Sequence, residues 1–174
     1  MEKIITKELV EHLKNNELIN NSQHGFLKNK SCLTNLLEFA EKISEYLDAG
    51  TPVDVIYLDF KKAFDKVPHE RLIIKLGEHG IGGSVLEWIK NWLKNRKQRV
   101  VINGEFSNWS SVVSGVPQGS VLGPVLFTIF INDIDGGITN YIKKFADDTK
   151  LFGKSGTIED TNSIRADLKC LEDW

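Results

Sequence analysis

Cysteine is scarce in this chain of 174 residues: only Cys32 and Cys170 occur, far apart and with no His or Cys at metal-ligand spacing. That excludes a disulfide framework and a zinc site, and it reads as two free thiols in a reducing compartment. A dominant charge is missing too. With 22 Lys and Arg against 24 Asp and Glu, the formal net charge is -2, so no global basic field points to nucleic acid. An acidic site can still coexist with a local basic patch. Long hydrophobic runs are also absent: the longest, 121–131, is interrupted by Gly123, Pro124 and Thr128 and falls short of a membrane span. The start, Met1-Glu2-Lys3-Ile4-Ile5, enters a helical pattern directly and lacks the features of a signal peptide. A soluble intracellular protein of cytoplasm or nucleus is therefore expected, with no membrane partner. Enough is present for a core: 41% of residues are apolar, as in one ordinary domain or a large part of one.

The pattern along the chain mixes helices and strands. Ile5, Leu9 and Leu13 mark an amphipathic helix ending near Asn15-Asn16. Residues 20–31 are polar, contain Gly25 and read as a loop, with Lys28 and Lys30 as ordinary solvated lysines. From about Ser31 a second helix carries an apolar stripe of Leu33, Leu36, Leu37, Ala40, Ile43 and Leu47, which predicts a packing face. Residues 53–60, rich in β-branched and aromatic side chains, predict a strand. Helices are expected over 69–76 and from Ser84, where Trp88 and Trp92 read as core anchors. The end of the second of these is basic: Lys90, Lys94, Arg96, Lys97 and Arg99 stand against Glu87 alone. This local cluster suits a nucleic-acid backbone, although helix C-terminal charge accounts for part of it. Val100-Val101-Ile102-Asn103-Gly104 enters an Asn-Gly hairpin whose return strand runs through Trp109 to Val113. A buried helix is expected over 120–132 and a final helix from about Ile158.

Three features bear chemistry. In Phe145-Ala146-Asp147-Asp148, two adjacent carboxylates sit between two strand-like runs, as in a hairpin with an acidic turn. A solvated turn is the ordinary explanation, and a bound divalent cation is the one that would relieve the repulsion. Asp59 ends a hydrophobic strand, where a charge needs water, a partner or a metal. It also stands where a helix N-cap would, and capping and ligation look alike in sequence; Asp65 is the more natural cap or salt-bridge residue. Finally, Ser114-Gly115-Val116-Pro117-Gln118-Gly119-Ser120-Val121-Leu122-Gly123-Pro124 is a Gly/Pro loop leading into the buried helix. Such a loop lets backbone approach a ligand closely, and Gln118 is the residue a plain connecting loop leaves unexplained. Magnesium prefers oxygen ligands, often one or two carboxylates completed by water and phosphate.

Tyr57-Leu58-Asp59-Phe60-Lys61-Lys62-Ala63-Phe64-Asp65, the 114–124 block and Phe145-Ala146-Asp147-Asp148 occur in the order found in reverse transcriptases. The chain resembles the polymerase domain of non-LTR (LINE-type, jockey-like) retrotransposons, and Gln23-His24-Gly25-Phe26 and Arg96-Lys97-Gln98-Arg99-Val100 agree. The resemblance implies an α+β polymerase palm, an antiparallel sheet backed by helices. Residues 1–52 would be partial fingers, and 53–174 palm with an embedded fingers-side helix and hairpin over about 84–113. The upstream motif, later palm segments, thumb and endonuclease are not seen, so an incomplete domain is expected. Asp59 and Asp147 would be the principal ligands of two magnesium ions (manganese being an alternative), with Asp148 the third acidic member. Phe64 would be the aromatic gate beneath the nucleotide sugar. Phe60, Gln118, Gly119, Lys28 and Lys30 would line the incoming nucleotide, and Lys94, Arg96, Lys97 and Arg99 the nucleic acid. RNA template, DNA primer and dNTP are the implied partners. Many relatives carry Arg where this chain has Lys28 or Lys30, and Lys lacks the bidentate fork.

The implied activity is RNA-directed DNA polymerisation, weak in this chain alone because no thumb would hold the primer. Two other readings remain open at this stage. One is a catalytically inactive nucleic-acid-binding remnant of a mobile element; the other is a group II intron-type maturase.

Overall fold

The computed structural model describes all 174 residues. In chain order the elements are α1 (Glu2–Asn15), α2 (Cys32–Asp48), β1 (Val53–Leu58), a 3-10 turn (Ala63–Lys66), α3 (His69–Glu78) and α4 (Gly83–Leu93). Four two-residue strands follow, β2 (Lys97–Gln98), β3 (Val101–Ile102), β4 (Glu105–Phe106) and β5 (Ser110–Ser111). The chain closes with α5 (Gly123–Phe130), a second 3-10 turn (Asn132–Asp135), β6 (Tyr141–Phe145), β7 (Asp148–Lys154) and α6 (Ile158–Asp173). These form two compact units: Met1–Asn16 with Lys62–Phe130, and Glu17–Lys61 with Ile131–Trp174. No helix is long and apolar enough to cross a membrane. The mixture of helices with an antiparallel sheet is the α+β class expected.

The second unit is built on the antiparallel sheet β1-β7-β6. The central strand β7 is the most apolar in placement, with Leu151 and Phe152 fully buried. Helix α6 packs on β7, and α2 packs on β6 and β1. Helix α2 corrects one expectation. Leu33, Leu36, Leu37 and Leu47 do not face the sheet; they are 48–64% exposed. The packed face is instead Asn35, Phe39, Lys42 and Tyr46, also at helical spacing. Asn35 Nδ2 donates to Lys144 O at 3.0 Å, Phe39 meets Phe152 edge-on at 4.9 Å, and Tyr46 meets Tyr141 at 6.2 Å. Aromatic rings bury more area than leucines and fix their partners' geometry, so they take the sheet.

The loop read as solvated is partly buried. Segment 22–24 lies along the outer edge of β6, joined by a parallel bridge between Gln23 and Lys144. Lys144 N donates to Ser22 O at 2.8 Å and His24 N to Lys144 O at 2.9 Å, so the open edge of β6 is covered. Lys144 itself is fully buried, and its ammonium meets the Asp135 carboxylate, which also accepts from Ser22 Oγ. A buried ion pair is tolerated only when its remaining hydrogen-bonding groups are satisfied. Here the Ile131 and Asn132 carbonyls also accept from Lys144.

The first unit is helical. Helix α5 is apolar on every side, with its residues from Gly123 to Ile129 buried apart from Pro124, and α3 packs on it. It starts later than the expected residue 120 because Ser120 Oγ closes a turn, donating to Pro117 O at 2.6 Å and accepting from Gly123 N at 2.9 Å. In α4 the fully buried positions are Ile89 and Leu93; Trp88 and Trp92 are half-buried and stacked on each other at 6.1 Å. Asn103 and Gly104, with φ of +51° and +87°, make the expected turn between β3 and β4, and β2 pairs with β5 behind it.

Candidate active site

In the sheet unit, β1 and β7 run antiparallel to their last pair, Leu58↔Thr149. Asp59 follows the last paired residue of β1, and Asp148 precedes the last paired residue of β7. On the other side of β7, Phe145↔Asp148 is the last pair with β6, leaving Ala146 and Asp147 as a two-residue turn. Two chain segments nearly ninety residues apart are thus brought to one end of one sheet by strand pairing. Asp59 and Asp148 are exposed and Asp147 is half-buried. None of the three side chains has an ion pair or hydrogen bond; Asp147 is contacted only through its carbonyl, which accepts from Thr149 Oγ1 at 3.2 Å. Asp59 does not cap the 3-10 turn that follows, since Lys62, in a left-handed conformation, is the cap there.

These carboxylates fit a hard divalent cation by donor type and by their lack of competing partners. They are not drawn into a preformed cage: no three His, Cys, Asp or Glu side chains are grouped so as to hold a metal ion.

Behind the turn lies the Gln23-His24-Gly25 segment, whose contacts no local sequence pattern predicts. Gln23, 1% exposed, accepts at Oε1 from Ala146 N at 3.0 Å and from Gly25 N at 2.7 Å. Its Nε2 donates to Ala146 O at 3.3 Å. His24 is equally buried; its Nδ1 bonds Thr34 Oγ1 at 2.9 Å, and its Nε2 lies 3.5 Å from the Glu38 carboxylate without a hydrogen bond. Burial, then the charge of Lys30, hold the His24 imidazolium below its ordinary pKa, against the opposing pull of Glu38. Glu38 is lowered chiefly by its hydrogen bond from Lys143. Lys28 is exposed. Lys30 is half-buried, donates to Asn21 O at 2.5 Å, and has its pKa lowered by burial. Phe60 lines an open groove of about 420 Å³ with Leu58, Arg165, Leu168 and Leu171.

In the helical unit, the loop 114–118 is laced to residues 64–69. Val116 N donates to Phe64 O and Gly115 N to Val67 O, both at 2.8 Å, and His69 Nε2 donates to Gly115 O at 2.8 Å. Gly115 has φ of +92°, and a Cβ there would lie 2.7 Å from Asp65 Cα and 2.8 Å from Phe64 O. The close approach that the loop's glycines allow is therefore, at Gly115, to the chain's own backbone. Gln118 Nε2 donates to Asp65 Oδ1 at 2.9 Å, while Gly119 stands in open space. Asp65, expected as a cap or salt-bridge residue, is instead the group that orients Gln118. Phe64 is stacked on Phe127 at 4.2 Å. A cleft of about 660 Å³ is lined by Asp65, Gln118, Arg96 and Lys97 among others. Lys94, Arg96, Lys97 and Arg99 are all exposed; Lys90 and the C-cap residue Lys94 stand at the C-terminus of α4, and Arg96, Lys97 and Arg99 lie beyond it. Arg96 lies over Trp92 at 5.3 Å, and Arg99 lies 4.0 Å from Phe106 and 4.5 Å from Trp109.

Comparison with known proteins decides the family. A profile of the reverse transcriptase (RNA-dependent DNA polymerase) family matches residues 1–174. The chain belongs to the reverse transcriptase family. The "RNA-directed DNA polymerase from mobile element jockey" of Drosophila funebris is 33% identical over 162 residues, 87% of this chain and 17% of that protein. The "Probable RNA-directed DNA polymerase from transposon X-element" of Drosophila melanogaster is 26% identical over 174 residues, 99% of this chain and 18% of that protein. This reverse transcriptase chain thus spans less than a fifth of the length of those relatives. Among solved structures, the apo telomerase of Candida tropicalis truncated from its C-terminal domain superposes with a TM-score of 0.65 at 11% identity. That match covers 97% of this chain and 36% of the telomerase chain, and shows a shared polymerase-palm fold. Reverse transcriptases generally use a divalent metal and bind a nucleic-acid template and primer.

Proposed function

We propose that this chain carries the nucleotidyl-transfer centre of an RNA-directed DNA polymerase of a non-LTR retrotransposon. The observation that supports this most directly is the sheet register, whose last β1–β7 pair, Leu58↔Thr149, stands next in sequence to Asp59 and Asp148, with Asp147 on the adjoining turn, within a reverse transcriptase chain. In this reading Asp59 and Asp147 hold divalent cations, magnesium or manganese, with Asp148 as the third acidic group. When bound, such ions neutralise the triphosphate and favour attack of a primer 3′-hydroxyl on the α-phosphate of a dNTP, with pyrophosphate leaving. The chain's own residues place and shield these reactants more than they react. Gln118, its Nε2 committed to Asp65, presents its carbonyl oxygen to a sugar hydroxyl or base, with Gly119 leaving room. Phe64, fixed on Phe127, is the wall beneath the sugar. Lys28 and Lys30 neutralise phosphate, and Phe60 completes the nucleotide's surroundings. Lys94, Arg96, Lys97 and Arg99 hold the template-primer backbone. Residues 1–52 are then partial fingers, and 53–174 palm with the helix and hairpin of 84–113 embedded.

Single-nucleotide extension of a DNA primer on an RNA template tests the assignment. With magnesium and the chain in excess, wild type should extend weakly. Asp147→Asn should lower the rate by at least about 100-fold, since it removes a ligand charge. Extension that survives this substitution unchanged would overturn the site.

A further inference from the structure

We propose that Gln23 is a positioning residue for Asp147, fixing the backbone from which that carboxylate projects; the role of Asp147 rests on the polymerase reading above. The turn between β6 and β7 has only two residues, Ala146 and Asp147. Whatever holds Ala146 therefore sets where Asp147 begins. Ala146 is 6% exposed and has φ of +56°, a conformation that residues with a Cβ adopt rarely. Such a residue persists where its surroundings over-determine it.

Gln23 supplies that determination. Its amide grips both backbone polar groups of Ala146, the N–H at 3.0 Å and the carbonyl at 3.3 Å. The amide cannot be turned over, because Oε1 also accepts from Gly25 N at 2.7 Å, and a flip would set Nε2 against two N–H donors. Gly25 completes the fit. A Cβ on it would overlap the Ala146 nitrogen and come within 3.0 Å of Ala146 Cα, so no side chain can stand between the loop and the turn. The backbone beneath is anchored as well, since Ser22 and His24 both bond Lys144, two residues before Ala146. The turn is thereby held by the chain's own groups. Partners behind a ligand orient it, and their loss commonly weakens metal binding.

Gln23→Met keeps the side-chain length and deletes all three hydrogen bonds. The probe is Mn2+, titrated into the 15N-labelled chain while the amide signals of Asp147 and Asp148 are followed for paramagnetic broadening. The Mn2+ concentration for half-broadening should rise about tenfold in Gln23→Met. The Ala146 amide should exchange with solvent at least about tenfold faster, given the hydrogen bond it loses. The Leu151 amide within β7 should keep its wild-type rate. If Gln23→Met does not fold, Gln23→Leu, which also deletes all three hydrogen bonds without adding a charge, gives the same reading and should raise the midpoint likewise. An unchanged midpoint in either folded variant overturns the positioning role. A wild-type chain without broadening at Asp147, or an Asp147→Asn chain that broadens like wild type, overturns the polymerase-site reading and this role with it.

Discussion

His24 shows how a single side chain can set a pH limit on the sheet unit. Its imidazole is buried, bonded to Thr34 through Nδ1, and faces Glu38, Lys30 and Lys143. Burial and the neighbouring ammonium groups outweigh Glu38, so the folded pKa lies below the unfolded value of about 6.5. The unfolded chain then binds the proton more readily, and folded stability falls as pH drops below about 6.5, levelling off only beneath the folded pKa. Thermal unfolding followed by circular dichroism should show Tm declining from pH 7.5 to pH 5.5, with His24→Gln flattening that slope. Glu38 does not mimic the effect. Its lowered pKa contributes stability that is lost only near and below the ordinary carboxylate range. A slope that is the same in His24→Gln would place the titrating group elsewhere.

Among the elements, the loop 114–118 owes its shape to Gly115 more than to any side chain. Gly115→Ala would add a Cβ at a φ of +92° and press it against the Asp65 and Phe64 backbone, so a loss of about 2–4 kcal/mol is expected from urea unfolding. Gly119→Ala is the control. At φ of +79° with open space around it, it should cost only about 1 kcal/mol. Equal losses at the two positions would mean that conformation alone, and not the close approach, governs the loop. The same contrast explains what could be read from the sequence. The acidic hairpin, the strand ending at Asp59 and the Asn103-Gly104 turn were legible because period-two runs and turn residues are local signals. The face of α2 was not, since Leu33, Leu36, Leu37 and Leu47 form as good a stripe as Asn35, Phe39, Lys42 and Tyr46, and only the partner strands choose between them. The contacts of Gln23 and Asp65 were not legible for a related reason: their partners, Ala146 and Gln118, lie 123 and 53 residues away. No period in the local sequence encodes such contacts.

At the scale of the whole molecule, the decisive quantity is where the charge lies. The chain as a whole carries -2, so attraction to a polyanion has to come from a local excess. In the proposed reading the exposed Lys94, Arg96, Lys97 and Arg99 supply it; Arg99 is held against Phe106 and Trp109 and Arg96 lies over Trp92, an arrangement in which a guanidinium can stack on a ring and still donate to phosphate. Four phosphate contacts would release about four counterions, giving a log–log slope of affinity against salt of roughly -3 to -4 for a duplex. Fluorescence anisotropy with a labelled RNA–DNA primer-template across 50–200 mM salt, a range on the order of that used to expose such slopes, measures it directly. Lys97→Ala and Arg99→Ala should each reduce the slope by about 1. Lys7→Ala, on the exposed side of α1 and paired at 3.9 Å with Glu11, should leave it unchanged. If both variants of the cluster keep the wild-type slope, the phosphate contacts lie elsewhere, and the basic strands beyond α4 are a solvated surface.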